Sequence, residues 1–187
     1  MNVGVDEAGR GSMFGPVVAA AVIWDPSITH IWLKDSKKLS KTQRKTMFHF
    51  VKENCIDYGI GFANESEIDE LNILQATQLA MHRALDNINL LFDQIQVDGN
   101  YFKPWKNVCF ECIIKGDQFN SNISAASILA KETRDKFIEK LTNENKTLDV
   151  YDLTNNKGYL TKTHMKAIKE NGVSKFHRQT FSLKNIY

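Results

Sequence analysis

The chain begins with two short apolar segments on either side of a polar, glycine-rich stretch. Residues 2–5 alternate small or polar with apolar side chains, and residues 17–24 form a run of eight apolar side chains. Alternation, and short apolar runs bounded by glycine, are typical of β-strands. The pattern therefore predicts a strand, a glycine-rich turn and a second strand, which together form a hairpin at the start of the fold.

Strand and helix patterns then alternate along the chain. Ser40 is a favourable N-cap for a helix over residues 41–54, and residues 56–62 predict a third strand. Residues 65–91 carry a broad apolar face, which predicts a short helix followed by a long one. Two more strands and a further helix are predicted over residues 95–98, 108–114 and 120–143. These are the elements of an α/β fold with an open sheet.

The last quarter of the chain is more polar. Residues 143–157 are irregular in pattern and predict a hinge, after which Thr161 is a good N-cap for a helix to about residue 170. Asn171-Gly172 is a helix-ending signal. We therefore expect a main domain over residues 1–143 and a C-terminal helical segment over residues 144–187.

Length and composition fit one domain with an ordinary core, since the chain has 187 residues, of which 42% are apolar and 25% charged. Its longest apolar run is far below the roughly eighteen residues that a membrane span needs. Acidic side chains stand where a signal peptide would need an apolar segment, so we expect a cytoplasmic protein.

Charge is distributed unevenly along the chain. From residue 157 onward there are seven Lys or Arg and one Glu, which give a net charge of +6. The net charge of the whole chain is +2, so residues 1–156 carry −4. A basic lobe beside an acidic body suits polyanion binding next to a metal centre. The alternative is a solvated basic helix.

Three cysteines, Cys55, Cys109 and Cys112, are too few and odd in number for a disulfide framework. Cys109 and Cys112 match a C-x-x-C spacing, but they lie on a predicted strand, where residues three apart face opposite ways. We interpret them as structural residues and not as a zinc or redox site.

The stretch Asp6-Glu7-Ala8-Gly9-Arg10-Gly11 follows the first predicted strand. Two adjacent carboxylates repel each other and are costly to bury, and a divalent cation neutralises both. The glycines allow backbone N–H groups to approach a ligand, and Arg10 offers a fork that suits phosphate. A solvated surface turn is the alternative. Neighbours on a strand point to opposite faces, so a shared site requires the strand to end or twist there.

Two further strands are predicted to end in an aspartate next to a glycine. Asp98 precedes Gly99, and Asp117 follows Gly116. Ligands of open α/β sheets bind at the carboxyl ends of strands, although either aspartate alone is more often a turn residue. Four carboxylates at strand ends, with five scattered histidines, favour Mg²⁺ or Mn²⁺ over zinc. This chemistry points to two-metal phosphodiester hydrolysis.

Other polar positions are weaker candidates. Lys37 and Lys38, shortly before the helix start at Ser40, suit phosphate contacts or a solvated loop. Tyr159 next to Gly158 suits stacking on a sugar or base, or a place in the core. Residues 131–136 are interpreted as the solvated polar continuation of a helix, with Asp135 as a possible extra metal ligand.

A set of motifs, in one order and over nearly the whole chain, resembles the type 2 ribonuclease H family, ribonuclease HII. The motifs are Asp6-Glu7-Ala8-Gly9-Arg10-Gly11 with Gly15-Pro16-Val17-Val18-Ala19-Ala20-Ala21-Val22, Asp35-Ser36-Lys37-Lys38-Leu39-Ser40, Ile68-Asp69 with Asn72-Ile73-Leu74-Gln75-Ala76-Thr77, Val97-Asp98-Gly99-Asn100, Lys115-Gly116-Asp117, Ala125-Ala126-Ser127-Ile128-Leu129-Ala130-Lys131 with Arg134-Asp135, Lys157-Gly158-Tyr159 with Thr161 and His164, and His177-Arg178 with Phe181.

The resemblance implies a ribonuclease H-like fold, a mixed five-stranded sheet flanked by helices, with a helical C-terminal segment. It implies that Asp6, Glu7, Asp98 and Asp117 bind Mn²⁺ or Mg²⁺ and are catalytic. It also implies that Gly9-Arg10-Gly11 reads the ribose 2′-OH and that Tyr159 stacks on the neighbouring deoxyribose.

The implied substrates are RNA–DNA hybrids and duplex DNA that contains single ribonucleotides, cut by a monomer on the 5′ side of the ribonucleotide to leave 5′-phosphate and 3′-OH ends. The chain departs from the family at Ser12-Met13-Phe14, in place of Pro-Leu-Ala, and at Tyr151-Asp152-Leu153 and Asn156. We expect the first departure to alter the loop near the site and the second to alter the hinge. Two other hypotheses are a non-catalytic nucleic-acid-binding module and a DNA nuclease or resolvase on the same fold.

Overall fold

A computed structural model of the chain describes residues 1–33 and 39–181. The predicted loop lysines Lys37 and Lys38 lie outside these described residues. The strands are β1 (Asn2–Ala8), β2 (Val17–Ile23), β3 (Asp57–Ala63), β4 (Gln94–Asp98) and β5 (Cys109–Ile113). The α-helices are α1 (Lys41–Asn54), α2 (Glu65–Leu71), α3 (Ile73–Asp86), α4 (Ser121–Glu144), α5 (Leu153–Asn156) and α6 (Lys162–Asn171).

The strands form one mixed five-stranded sheet in the order β3-β2-β1-β4-β5. β1, β2 and β3 pair antiparallel, whereas β4 runs parallel to β1 and β5 runs parallel to β4. The three parallel strands therefore end at the same edge of the sheet. This confirms the predicted α/β fold with a mixed, helix-flanked sheet.

Two apolar clusters cover the two faces of the sheet, and β2, in which every residue is buried, contributes to both. Alternate β2 residues face opposite ways: Ala19 and Ala21 pack in the cluster that contains the apolar face of α3, and Ala20 and Val22 pack in the cluster that contains α1 and α4. α4 approaches β1 closely at Gly4, where a Cβ would lie 2.3 Å from the backbone of Asn122. This close approach brings α4 alongside the end of β1.

Most predicted helix boundaries are confirmed, and their caps explain them. Ser40 forms a capping box with Gln43 at the start of α1, and the hydroxyl of Thr161 accepts a hydrogen bond from the backbone N–H of His164 at the start of α6. The helix predicted over residues 65–91 is divided at Asn72, as expected, but it ends at Asp86.

The irregular backbone predicted over residues 143–157 is wrong. These residues form a 3₁₀ helix at Lys146–Tyr151 and then α5, and five of them are buried. Leu148, Tyr151 and Leu153 pack with Phe14 in a third apolar cluster, which also contains residues of α4 and α6. The departures at Phe14 and Leu153 thus meet in one core. The division of the chain at residue 143 stays a prediction.

All three cysteines are free thiols. On β5, Cys109 is exposed whereas Cys112 packs against the core, so their side chains face opposite ways, as predicted from the strand pattern. Among the helices of the described part of the chain, none is both long and apolar enough to cross a membrane.

Candidate active site

A cavity of about 430 Å³ opens at the edge of the sheet where the parallel strands end. Three of the four predicted carboxylates, those of Asp6, Glu7 and Asp98, line it. The register explains why they meet: the last β1–β4 pair is Val5 with Val97, so Asp6 and Asp98 follow it side by side. The cavity is also lined by Ala8, Gly9, Arg10, Gly11, Arg44, Ser127, Ile128, Lys131 and Tyr159.

β1 does not end at the carboxylates, contrary to one condition considered for a shared site. It continues to Ala8 in register with β2, but β4 stops at Asp98. β1 therefore extends past the last residue that pairs with β4. Its final residues are not covered by β4, which pairs only with the earlier part of β1. Asp6 and Glu7 both reach the cavity from there.

Asp6 is 5% exposed and points toward α4. Its Oδ1 accepts a 2.7 Å hydrogen bond from the backbone N–H of Glu7, and the Ser127 hydroxyl also bonds to it. Burial raises the pKa of Asp6 well above its usual value, and the charges of Glu7 and Asp98 raise it further. The carboxylate is therefore costly to ionise unless a cation is present.

Glu7 is largely but not fully buried, with 13% of its side chain exposed, and burial raises its pKa. Arg10 opposes that effect, because its Nη1 lies 3.2 Å from Oε1 of Glu7 and favours the ionised carboxylate. The charge of Asp98 adds to the raised pKa. Arg10 therefore neutralises Glu7 only in part, since half of its own side chain is exposed.

The donor set of the cavity fits a hard divalent cation. Carboxylate oxygens are the ligands of Mg²⁺ and Mn²⁺, and bound cations reverse the unfavourable charge of a carboxylate group. Within residues 1–33 and 39–181, however, no three His, Cys, Asp or Glu side chains are gathered closely enough to hold one ion.

Asp117 lies in a 3₁₀ turn at Gly116–Gln118, directly after β5. It is fully buried, between β4 and the start of α4, and is not among the residues that line the cavity. Three of the predicted carboxylates therefore line the cavity. The fourth, Asp117, is buried in the turn after β5 and does not line it. Its part in metal binding stays a prediction.

The loop Gly9-Arg10-Gly11 forms one wall of the cavity. Gly9 has a φ of +96°, and a Cβ on it would lie 2.1 Å from Nε of Arg134. Only glycine satisfies both the backbone angle and this contact. The loop therefore folds closely over a buried arginine.

Tyr159 lies on the same side of the cavity as Gly11, and its side chain is partly exposed rather than in the core. A Cβ on Gly11 would lie 3.9 Å from its ring. The backbone beneath the ring is joined to the loop as well, because the N–H of Met13 donates to the carbonyl of Gly158 at 2.9 Å. The exposed ring and the glycine loop thus form one continuous edge.

The interpretation of residues 131–136 as a solvated helix face is wrong at Arg134 and Asp135, because both residues are buried. Arg134 is 0% exposed and donates to the carbonyls of Pro16, Phe14 and Lys157 and to the hydroxyl of Ser12. Asp135 is 5% exposed and is paired with Lys131 at 2.8 Å. The available signal is spacing: Ser127, Lys131, Arg134 and Ile138 recur every three or four residues and share one face of α4.

Arg44, on α1, is a cavity residue that the sequence did not indicate. Its Nε lies 2.6 Å from Oε1 of buried Glu132, and its Nη2 lies 3.7 Å from Asp135. These pairs hold a second and a third positively charged side chain, Arg44 and Lys131, in the lining of the cavity besides Arg10. Partly compensated arginine and lysine side chains in a cavity are suited to binding phosphate.

Comparison with solved structures places the fold in a class. The crystal structure of the ribonuclease H2 from Pyrococcus horikoshii superposes with a TM-score of 0.78 at 28% identity, covering 99% of this chain and 96% of that one. Bst-RNase HIII, solved in complex with Mn²⁺, gives a TM-score of 0.75 at 17% identity over 99% of this chain and 68% of that one, a likeness of fold alone. The protein thus has the ribonuclease H-like fold.

Comparison of sequences is more specific. The profile described as Ribonuclease HII matches residues 3–184. A ribonuclease HII of Pelagibacter ubique is 49% identical over 179 residues, which cover 96% of this chain and 94% of that relative. The chain belongs to the ribonuclease HII family and is an enzyme of the ribonuclease class.

Proposed function

We propose that the protein hydrolyses the RNA strand of RNA–DNA hybrids and cuts at single ribonucleotides embedded in duplex DNA. The cut leaves 5′-phosphate and 3′-OH ends and uses two divalent ions, Mn²⁺ or Mg²⁺. One observation carries the proposal: Asp6, Glu7 and Asp98 share a cavity with the glycine loop and with Tyr159.

The carboxylates would hold the metal. A bound divalent cation supplies Lewis acidity and an activated water for attack on the phosphodiester. Asp6 and Asp98 are adjacent across two parallel strands, and Glu7 reaches the same space. Asp117 is proposed as the fourth ligand. The Mn²⁺ complex of Bst-RNase HIII, which has the same fold, supports the choice of metal.

Recognition of RNA is assigned to the loop Gly9-Arg10-Gly11. A site built to bond a hydroxyl rejects the analogue that lacks it by about four to five orders of magnitude. The ribose 2′-OH is the group that distinguishes RNA from DNA, and the loop presents backbone with no side chain at Gly9 and Gly11 beside the carboxylates.

The positive side chains around the cavity are assigned to the nucleic acid backbone. Arg10, Arg44 and Lys131 line the cavity together with the carboxylates. Phosphate contacts of this kind are independent of base sequence and weaken with salt. They suit an enzyme that recognises the kind of sugar and not the base.

Three duplexes test the proposal directly: all-DNA, RNA–DNA hybrid, and DNA with one ribonucleotide, each incubated with the protein and Mn²⁺ or Mg²⁺. We expect cleavage of the last two, loss of cleavage with a chelator, and an intact all-DNA duplex. Cleavage of all-DNA would identify a DNA nuclease or resolvase. Binding of all three without cleavage would identify a non-catalytic module.

A further inference from the structure

Two adjacent buried residues near the end of the described chain, His177 and Arg178, have no part in the site as described. Each is 1% exposed, and neither lines the cavity. Their side chains nevertheless connect through hydrogen bonds to two features that do line the cavity. Arg178 is bonded to the Gly9-Arg10-Gly11 loop, and His177 is connected to Tyr159 through His164.

Arg178 binds the loop through main-chain carbonyls. Its Nη2 donates to the carbonyl of Gly9 at 2.7 Å, its Nη1 to Arg10 at 2.9 Å and its Nε to Gly15 at 3.0 Å. A planar guanidinium with three bonds in a fixed fork leaves the bound carbonyls little freedom. The carbonyls of Gly9 and Arg10 are therefore held in one place before any substrate binds.

His177 is joined to Tyr159 through a second buried histidine. The Nε2 atoms of His177 and His164 lie 3.0 Å apart, and Nδ1 of His164 lies 3.1 Å from the carbonyl of Tyr159. At the other end, the backbone N–H of Ser174 donates to Nδ1 of His177 at 2.9 Å. The two rings thus form a continuous chain of hydrogen bonds between Ser174 and Tyr159.

The two ends of that chain fix both tautomers. The backbone N–H of Ser174 only donates, and the Ser174 hydroxyl, 2.8 Å from the same atom, is able to donate as well, so Nδ1 of His177 accepts and its proton is on Nε2. A carbonyl only accepts, so Nδ1 of His164 carries the proton and its Nε2 accepts from His177. Both ends require the same direction, from Ser174 to Tyr159, with two neutral rings.

The segment that carries the pair is itself fixed on both sides. The N–H of Arg178 donates to the carbonyl of Met13 at 2.9 Å. Asp69 on α2 accepts hydrogen bonds from the N–H groups of Gln179 and Thr180 at 2.8 and 2.9 Å. The dipeptide is thus a rigid support and not a mobile tail.

We propose that His177 and Arg178 are positioning residues that set the distance between the glycine loop and Tyr159. This inference rests on the proposed function, in which the loop reads a 2′-OH, and on the role that the family resemblance implies for Tyr159, stacking on the neighbouring deoxyribose. A lone ribonucleotide is recognised only if its 2′-OH meets the loop while the next deoxyribose meets Tyr159. A long hybrid offers a 2′-OH at every step. The pair therefore determines selectivity for the RNA–DNA junction.

Kinetics on two substrates test the role of Arg178. Arg178→Lys keeps the charge but cannot reach three carbonyls, so we expect kcat/KM on the lone-ribonucleotide duplex to fall at least tenfold more than on the long hybrid. Arg83→Lys is the matched control, since Arg83 also donates to a carbonyl, that of Phe62 at 2.7 Å, but away from the cavity. It should leave the ratio of the two substrates unchanged.

The histidine chain is tested by rescue. In His164→Asn the amide keeps a donor near the carbonyl of Tyr159, whereas His164→Leu has none, so we expect the asparagine variant to keep most of the junction selectivity that the leucine variant loses. ¹⁵N NMR of the wild-type imidazoles provides a readout that needs no activity. It should show His177 protonated at Nε2 and His164 at Nδ1.

The outcomes separate this inference from the proposed function. If the wild-type protein cleaves neither substrate, the proposed function fails. If the wild-type protein cleaves both, and Arg178→Lys and His164→Leu lower both rates equally or lower only the unfolding temperature, the two residues are structural and the positioning role is overturned. Opposite tautomers in the NMR spectrum would overturn the histidine chain.

Discussion

At two glycines near the carboxylates, the neighbouring side chains, and not the backbone angle alone, determine what a larger residue would cost. Gly9 and Gly99 both have positive φ values, +96° and +110°. A Cβ on Gly9 would meet the guanidinium of Arg134 at 2.1 Å, whereas a Cβ on Gly99 would meet nothing within 4 Å. The two glycines therefore carry the same backbone requirement and differ in packing.

We expect Gly9→Ala to destabilise the protein by about 3 kcal/mol, the sum of left-handed strain and overpacking. Gly99→Ala should cost only the strain, about 1 kcal/mol. Urea unfolding of the two variants measures the difference. Equal losses would show that the contact with Arg134 contributes nothing.

The exposed ring of Tyr159 leads to a second prediction at this scale. Tyr159→Ala should slow cleavage at a lone ribonucleotide about tenfold or more, in line with the loss of one stacking contact of about 1–3 kcal/mol. Cleavage of a long hybrid should be less affected. Tyr159→Phe keeps the ring and should behave as wild type. Equal losses on both substrates would remove the junction-sensing role.

At the scale of elements, the site depends on how closely α4 lies against β1. A Cβ on Gly4 would lie 2.3 Å from the α4 backbone, and Ser127 further along the same helix bonds to Asp6. Parallel pairing of β1 with β4 then places Asp98 beside Asp6. Helix and strand together thus assemble the carboxylates.

Gly4→Ala should push α4 away from β1 and lower the free energy of unfolding by about 2–3 kcal/mol. It should also lower activity, because Ser127 moves away from Asp6. Gly11→Ala is the stability control, since its new methyl group would meet only the Tyr159 ring at an ordinary 3.9 Å. A Gly4→Ala variant as stable as the control would contradict the close approach of α4.

These elements were predictable from the sequence because their signals are local. Contacts between residues far apart in the sequence were not predictable. Caps such as Ser40 and Thr161 act within three residues, so they show in the sequence. The partners of Arg134 and Arg178 lie 118 to 169 residues away, apart from Lys157, and a buried arginine on a helix has the same local pattern as a solvated one. Asp98 and Asp117 were predicted because an Asp next to a Gly marks a strand end, and Asp6 and Glu7 because adjacent carboxylates repel each other. The histidine pair has no such local mark.

At the scale of the whole molecule, the buried His164–His177 pair leads to a prediction about acid stability. Burial lowers the pKa of His177 to about 4 and lowers that of His164, although Asp152 acts in the opposite direction on His164. At His177 the folded protein binds fewer protons than the unfolded chain between pH 4 and 6.5, so the contribution of this group to stability is present above pH 6.5 and is lost toward pH 4. Asp6 and Glu7, whose pKa values are raised, act in the opposite direction.

We therefore compare wild type with His177→Gln, which keeps a donor but does not titrate. The free energy of unfolding of the wild type should fall more steeply between pH 6.5 and 4 than that of the variant, because only the wild type has a ring at position 177 that takes up a proton on unfolding. Urea unfolding across this range measures both slopes. Parallel pH profiles would show that His177 does not titrate on unfolding.

The central claim is that carboxylates from separate strands form one metal-dependent cutting site, and Asp98→Asn tests it most directly. The variant removes one charge and no atoms of packing. We expect the rate of hybrid cleavage with Mn²⁺ or Mg²⁺ to fall about a thousandfold or more, equivalent to about 4 kcal/mol, while hybrid affinity stays within a few-fold of wild type. Undiminished cleavage by Asp98→Asn would contradict the account.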